Sequence, residues 1–597
     1  MKKTVLTLVI LAFFLNGCMP TSKKAPSEKQ EKSKDQTQKE KMGKTKPPKK
    51  TVVRKKIDIN ALVKQTKAEG KSYLRIPPGD YEMDNTINIY RIKDLEIDGT
   101  NVNLFMTQIK HTFFINNSDN ITIKGFTLDY DPIPFTQATI TSINGDKDLK
   151  FTIHDGYPDL TKKTMYNCLY VFDKKTRLWK KGLSDVYGKM TIIDKRHGSF
   201  KTREPQPLLG IGDLICIDPR RASCIFSCNG TKNVLMENLT IFSAPGATIG
   251  GRFCGPNHSF KNIKLTRGPR PKGATENRLL STNADGINYA ISTSSPKVEN
   301  CEFGFMGDDA INFHGPLFPI IKVESPTSFL TVRVQQLRPY KNIMSSGETL
   351  RHLDAGTYAK LGTGKFKAID IIKDHGFTPD LLKPFLPRWQ RSYSKNCSVY
   401  RIQLEKPLDL KVGQNMDFPA ASCSGFVIKN SYFHDNRPRA LRLMSSNGVI
   451  ENNRFERIRD SAIDIGNEYP DWGEAGWVEN VVIKNNILTD IGTGNVIKTD
   501  NRVPGAICIF TMNSQGITKY FPGHSNIVIE NNTIKNCAPS AIYVYGAKDI
   551  TIQNNIIENS WAPDSVKAGS KRKASPQKAI DIHPDSKATL KNNKITP

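Results

Sequence analysis

Val427-Ile428-Lys429-Asn430 is followed, ten residues after its Asn, by Ala440-Leu441-Arg442-Leu443, and the pattern then starts again at Val449-Ile450-Glu451-Asn452 and Ala462-Ile463-Asp464-Ile465. The phrase returns as Val482-Ile483-Lys484-Asn485, Val528-Ile529-Glu530-Asn531 and Thr551-Ile552-Gln553-Asn554, with earlier copies at Leu235–Asn238 and Lys297–Asn300. Each copy alternates apolar and polar residues like a short strand and closes on Asn, which tolerates the left-handed conformation of a tight turn. The second strand opens on Ala310, Ala440, Ala462 and Ala541, each ten residues after Asn300, Asn430, Asn452 and Asn531. A period of 22 or 23 residues, made of short strands without helices, predicts a stacked solenoid. The fold class expected is all-β, a right-handed parallel β-helix with two inserted small β-barrels.

Two stretches interrupt the period, 131–220 and 316–420. Both carry alternating runs without the Asn phrase, among them Ala138–Ile143 and Leu330–Val334, and both end on a Gly-containing run, Gly210–Ile215 and Leu410–Met416. They read as the inserted barrels, since a disordered loop seldom shows such alternation. The solenoid is then expected over 57–130, 221–315 and 421–597. Its opening, Ile76-Pro77-Pro78-Gly79-Asp80-Tyr81, resembles the first coils of pectin-lyase-like β-helices.

The N-terminus reads as an export signal over 1–17. Lys2 and Lys3 precede an apolar run from Val5 to Leu15, too short to span a bilayer comfortably. Leu15-Asn16-Gly17-Cys18 resembles a bacterial lipobox, with Cys18 as the lipid-attachment residue; an ordinary cleaved signal is the alternative. The resulting expectation is a chain exported across the inner membrane and lipid-anchored in the cell envelope. Residues 18–56 lack apolar bulk and read as a basic, disordered tether. The first 56 residues hold +12 of the formal net charge of +28. The basic remainder is compatible with an anionic glycan but identifies no ligand. No nucleic-acid-binding motif is present, and no nucleic-acid partner is expected. Ten cysteines besides Cys18 are scattered without zinc-ligand spacing and read as buried free thiols.

One pair of segments carries candidate chemistry: Asn283-Ala284-Asp285-Gly286-Ile287-Asn288, and Gly307-Asp308-Asp309-Ala310-Ile311-Asn312. Asp285 and Asp309 precede the same small-residue position on adjacent coils, so they share a column with roughly 5 Å between rungs. Asp308 lies beside them. Ser461 and Ser540 fill this column elsewhere. Clustered carboxylates repel and must share protons or bind a metal. An acid and a base side by side suit glycosidic hydrolysis. Calcium binding and a purely structural column are the competing readings; no metal and no cofactor are expected, because hard cations want six or more oxygens. Arg439 falls in the same column with Arg437 beside it, placed to bind sugar hydroxyls or to hold a carboxylate ionised. Asn283, Asn312, His314, Trp472 and Glu474 complete the expected substrate contacts.

Gly307-Asp308-Asp309-Ala310-Ile311-Asn312-Phe313-His314-Gly315, paired with the Asp285 segment, resembles glycoside hydrolase family 110. Trp472-Gly473-Glu474-Ala475-Gly476 resembles that family's Trp/Tyr-x-Glu-Ser-Gly segment. The resemblance implies an exo-acting α-1,3-galactosidase on a β-helix with barrel insertions, and a partner glycan bearing α-linked galactose. By the resemblance, Asp285 is the general acid and Asp308 with Asp309 holds and activates water, with inversion at the anomeric carbon. The sequence departs from the family pattern at Tyr289, where a His is common, and Asn283–Ile287 is closer to the polygalacturonase pattern. A polygalacturonase-like or sulfated-galactan hydrolase, a calcium-dependent lyase and a non-catalytic carbohydrate-binding β-helix stay open as alternatives.

Overall fold

The computed structural model describes residues 54–596, apart from 184, 335–339, 341–342, 495–504, 512–520 and 561–577. The residues read as an export signal, Cys18 and nearly all of those read as a basic tether lie outside the described residues.

The repeat stacks in register. Val427–Lys429 pairs in parallel with Lys297–Glu299 on one side and Gly448–Glu451 on the other. The ladder continues through Glu479–Lys484, His524–Glu530, Ala547–Gln553 and Ala588–Lys591. A second parallel ladder runs through Ile249–Arg252, Ile287–Ala290, Ile311–Ser325, Leu441–Leu443, Ile463–Gly466 and Gly505–Phe510. Between the ladders the inward side chains form columns: Ile428, Ile450, Ile483, Ile529 and Ile552 on one face, Ile287, Ile311, Leu441, Ile463 and Ile507 on the other, all fully buried. Each such aliphatic residue contributes about 1.5–3 kcal/mol on burial. Phe303, Phe433 and Phe455 stack between them at ring separations of 5.1 and 5.0 Å.

The repeated Asn has a different job from its neighbour. Asn430, Asn452, Asn485, Asn531 and Asn554 all sit at positive φ, from 53° to 57°, and turn the chain out of the strand. The buried ladder is built by the residue after it: Asn453 Nδ2 donates to Asn486 Oδ1 at 3.1 Å, Asn486 to Asn532 at 3.0 Å and Asn532 to Asn555 at 3.0 Å. This satisfies polar groups that burial would otherwise leave bare.

A helix was not expected. Ile59–Ala68 is α-helical, capped by Asp58, which accepts from Ala61 N at 3.0 Å. It buries Ile59 and Val63 against the first coils, covering apolar residues that have no preceding coil to stack on.

Two rings of antiparallel strands leave the solenoid. In the first, Thr136–Asn144, Asp148–Ile153, His197–Thr202, Val186–Ile192, Cys168–Phe172 and Leu214–Ile217 close on themselves. In the second, the solenoid strand Ile311–Ser325 runs on as a barrel strand, and the ring closes through Ser328–Val334, Cys397–Leu404, Lys360–Ile372, Thr349–Leu353 and Asn415–Asp417. Each has its own apolar core. The first barrel docks on the solenoid: Trp179 Nε1 donates to Asp435 O at 2.6 Å, and Asp185 accepts from Arg437 Nε at 2.8 Å and Arg459 Nη2 at 2.7 Å. The ten described cysteines are free, nine of them buried.

Candidate active site

Side chains alternate along each strand of the second ladder. Ile287 and Tyr289 point into the core, so Asn288 faces outward, in register with Asn312, Arg442 and Asp464 on the following rungs. Just before these strands, the register places Asp285, Asp309 and Arg439 in one column. Backbone bonds fix the spacing, with Gly286 N donating to Asp309 O at 3.0 Å and Thr248 N to Asp285 O at 2.7 Å. The glycines are structural requirements: a Cβ on Gly286 would meet Ala310 O at 2.5 Å, and one on Gly307 would meet Asn283 O at 2.6 Å.

Asp285, Asp308 and Asp309 converge, with one oxygen of each within 4.8 Å of the others. They are not equivalent. Asp285 is 1% exposed; burial, and then the charges of Asp308 and Asp309, push its carboxyl well above the usual carboxylate range, although Asn288 Nδ2 donates to Oδ2 at 2.5 Å. Asp308 goes the other way. Burial opposes its charge, but Arg220, Arg437 and Arg439 hold it below its ordinary value. Arg220 pairs directly with Asp308 Oδ2, and Asp309 N donates to Oδ1 at 3.1 Å. Asp309 is raised by burial and by Asp308 against the pull of Arg439. Arg439 grips it at two points, Nε to Oδ1 at 2.8 Å and Nη2 to Oδ2 at 3.1 Å. The site therefore holds a protonated acid beside an ionised carboxylate. Five of the trio's six oxygens already accept hydrogen bonds, where calcium takes six to eight oxygens, and two of its members are paired with guanidinium groups.

The other expected contacts divide. Asn312 faces the cleft with a buried Oδ1 that has no partner. His314 and Glu474 come together, Nε2 to Oε1 at 3.6 Å, because Pro316 in the strand Ile311–Ser325 pairs with Glu474 in the two-residue strand Glu474–Ala475. Burial lowers His314 to about 4, leaving it neutral. Burial opposes the charge of Glu474, yet the guanidinium groups of Arg442, Arg439 and Arg252 hold its carboxyl below its ordinary value. Arg437 is directed to Asp185 and to Gly307 O, at 2.9 Å, with Nη1 only within 3.9 Å of Asp308. Asn283 is fully buried, its Nδ2 donating to Pro134 O at 3.2 Å. Trp472 packs near Trp389 of the second insert at 6.2 Å, and Gln390 Nε2 donates to its carbonyl at 2.5 Å.

Several site residues escaped the sequence reading: Arg220 and Asp218 from the exit of the first barrel, Tyr170 and Asp185 from its body, and Arg252, Arg442 and Asp464 from the solenoid. Tyr170 Oη accepts from Arg220 Nη2 at 2.9 Å. The one available signal was Asp218-Pro219-Arg220-Arg221, a charged run where the insert rejoins the solenoid. Around the carboxyls, Thr248, Asn283, Asn288 and Asn312 all carry buried oxygens without a hydrogen-bond partner. Such a concentration of unsatisfied acceptors marks a place built to receive polar groups.

A right-handed β-helix region family matches residues 417–521 and 515–596. Among curated proteins, α-1,3-galactosidase B of Bacteroides thetaiotaomicron is 24% identical over 509 residues, covering 78% of this chain and 74% of that protein. α-1,3-Galactosidase A of Bacteroides fragilis is 22% identical over 548 residues, covering 84% of each. Among solved structures, the Agl-KA catalytic domain matches 90% of this chain at a TM-score of 0.44 and 12% identity, and the chain spans 62% of its length. This all-β chain is a right-handed parallel β-helix with inserted barrels, and over most of its length it resembles the α-1,3-galactosidases.

Proposed function

We propose that the protein is a glycoside hydrolase that removes terminal α-1,3-linked galactose from a glycan by a single inverting displacement. The observation that carries this reading is the split ionisation of the cluster: Asp285 keeps its proton while Asp308, a few ångströms away, is held as a carboxylate. Asp285 protonates the leaving glycosidic oxygen. Asp308 and Asp309 hold water and take its proton. The names of the relatives supply the sugar and the linkage.

Spacing alone leans towards retention, since retaining pairs lie about 5–5.5 Å apart and inverting pairs about 6.5–9.5 Å. The nearest oxygens of the three carboxyls here are within 4.8 Å of one another, closer to the retaining spacing. Hydrogen bonding weighs the other way. Both oxygens of Asp308 and both of Asp309 already accept bonds, from Arg220, Asp309 N and Arg439. These bonds fix two carboxylates side by side and leave each oxygen a second lone pair, which suits holding one water between them and taking its proton better than attack by a single nucleophile. The barrels flank the cluster through Arg220 on one side and the Pro316–Glu474 contact on the other, an arrangement suited to a chain end. Proton NMR of the first sugar released from an α-1,3-galactoside tests the reading. Initial β-galactose is expected; initial α-galactose overturns inversion, and no galactose released across a panel of galactosides overturns the activity.

The reading includes attachment to the cell envelope through lipid on Cys18. It rests on the Lys2–Cys18 pattern; fatty-acid labelling that persists in Cys18→Ser would remove it.

A further inference from the structure

Next to the three carboxylates lies a fourth carboxyl without a role in the scheme above. Asp218 follows the last strand of the first barrel, Leu214–Ile217, and is fully buried. Neither of its side-chain oxygens has a hydrogen-bond partner. It reaches this place because residue 307 is Gly: a Cβ there would stand 3.1 Å from Asp218 Oδ2. The cations around it are already engaged. Arg220, whose N–H donates to Asp218 O at 3.0 Å, sends its guanidinium to Asp308 and, at 2.7 Å, to Gly307 O. Arg437 is taken by Asp185 and Gly307 O, and Arg221 turns to Lys163 O. The remaining titratable neighbours are Asp308 from the solenoid and Tyr166, Tyr170 and Cys216 from the barrel. A buried carboxyl with no bond and no free counter-ion stays neutral, and burial raises this one to about 8.

We propose that Asp218 is a positioning residue that must keep its proton for Arg220 to stay on Asp308, so that its ionisation at alkaline pH draws Arg220 away and switches the site off. Charged, Asp218 would present two strong acceptors to a guanidinium two residues along the chain, in surroundings of low dielectric where such a pull is large. Asp308 would lose the partner that holds it ionised and oriented. The first barrel then does more than wall the cleft: its last turn carries the group that sets the alkaline limit of activity.

This inference rests on Asp308 being the water-holding carboxylate, and the test separates it from that reading. An activated aryl α-galactoside is the substrate, because its leaving group does not need the Asp285 proton and the alkaline limb due to Asp285 disappears. From pH 7 to pH 9 the wild type is expected to lose about tenfold in kcat. Asp218→Asn mimics the neutral acid; it is expected to keep wild-type kcat at pH 6 within about twofold and to stay flat to pH 9. An unchanged alkaline fall in D218N, or an equal loss at every pH, overturns the proposal. Carbon-13 NMR of protein labelled at aspartate carboxyls reads the same proton without turnover: a resonance titrating near pH 8 is expected in the wild type and absent from D218N. Should D218N fail to fold, the titration is read in Asp285→Asn, which lacks the other strongly raised carboxyl, and the absence of any aspartate titrating between pH 7 and 9 there overturns the proposal. If no α-galactoside is turned over, the galactosidase reading fails while the NMR titration still judges Asp218.

Discussion

Arg439 holds Asp309 with a two-point grip, Nε on Oδ1 at 2.8 Å and Nη2 on Oδ2 at 3.1 Å, across a gap of 130 residues that contains the whole second barrel. The column position suggested either a contact to sugar hydroxyls or a hold on a carboxylate, and here the guanidinium holds Asp309. Its remaining nitrogen, Nη1, lies 3.6 Å from Asp464 Oδ2, so the guanidinium ties three rungs of the cleft together.

Arg439→Lys is therefore expected to damage chemistry as well as binding. Lysine keeps a charge but cannot form the planar fork. A charge-assisted hydrogen bond of about 1.5–3 kcal/mol is lost, so kcat/KM should fall roughly 10–100-fold. With the two-point hydrogen bonding to Asp309 lost, its carboxyl rises further, and the acid limb of the pH–rate profile should move to higher pH. A variant with raised KM, unchanged kcat and an unmoved acid limb would return Arg439 to a simple substrate contact.

Asp285→Asn tests the acid. The variant cannot protonate a leaving oxygen, so turnover of natural glycans with poor leaving groups should fall by roughly 10²–10⁴-fold. Activated aryl galactosides should be spared by comparison. Equal losses on both substrate types would mean that Asp285 acts by holding the site together.

The docking of the first barrel rests on Asp185, which is partly buried and pairs with Arg437 and Arg459. Burial opposes its charge, but the two guanidinium groups depress its carboxyl far below the unfolded value. A depressed carboxyl contributes stability above its unfolded pKa of about 3.9, and that contribution is lost as pH falls below this value towards the folded pKa. Asp185→Asn leaves two buried cations without their partner and should cost about 3–5 kcal/mol. Thermal melts at pH 7 and pH 3 measure this: the gap between wild type and D185N should narrow at pH 3. A gap that stays constant would assign the loss to packing.

The solenoid was legible because its grammar is local. An apolar residue every second position, an Asn that must turn and a small residue that opens the next strand recur at a fixed offset, and stacking identical coils is the one arrangement that buries every Ile column at once. Asp285, Asp308 and Asp309 were legible for the same reason: a column in the repeat is a column in space. What the repeat could not carry is anything arriving from outside it. Arg220, Asp218 and Asp185 come from the first barrel and its exit, and their approach to Asp308 and Arg437 depends on how that barrel docks. Docking is decided by surface complementarity between residues as distant as 185 and 437, and sequence spacing holds no record of it. The helix Ile59–Ala68 was hidden for a related reason: it answers the exposed end of the stack, a boundary condition that no single coil encodes. Even within the repeat, position fixed where Arg439 and Arg437 stand but not what they hold. Asp309 takes one and Asp185 the other, because a guanidinium is drawn to the carboxylate it can reach at two points, and only the folded chain sets which carboxylates lie within reach.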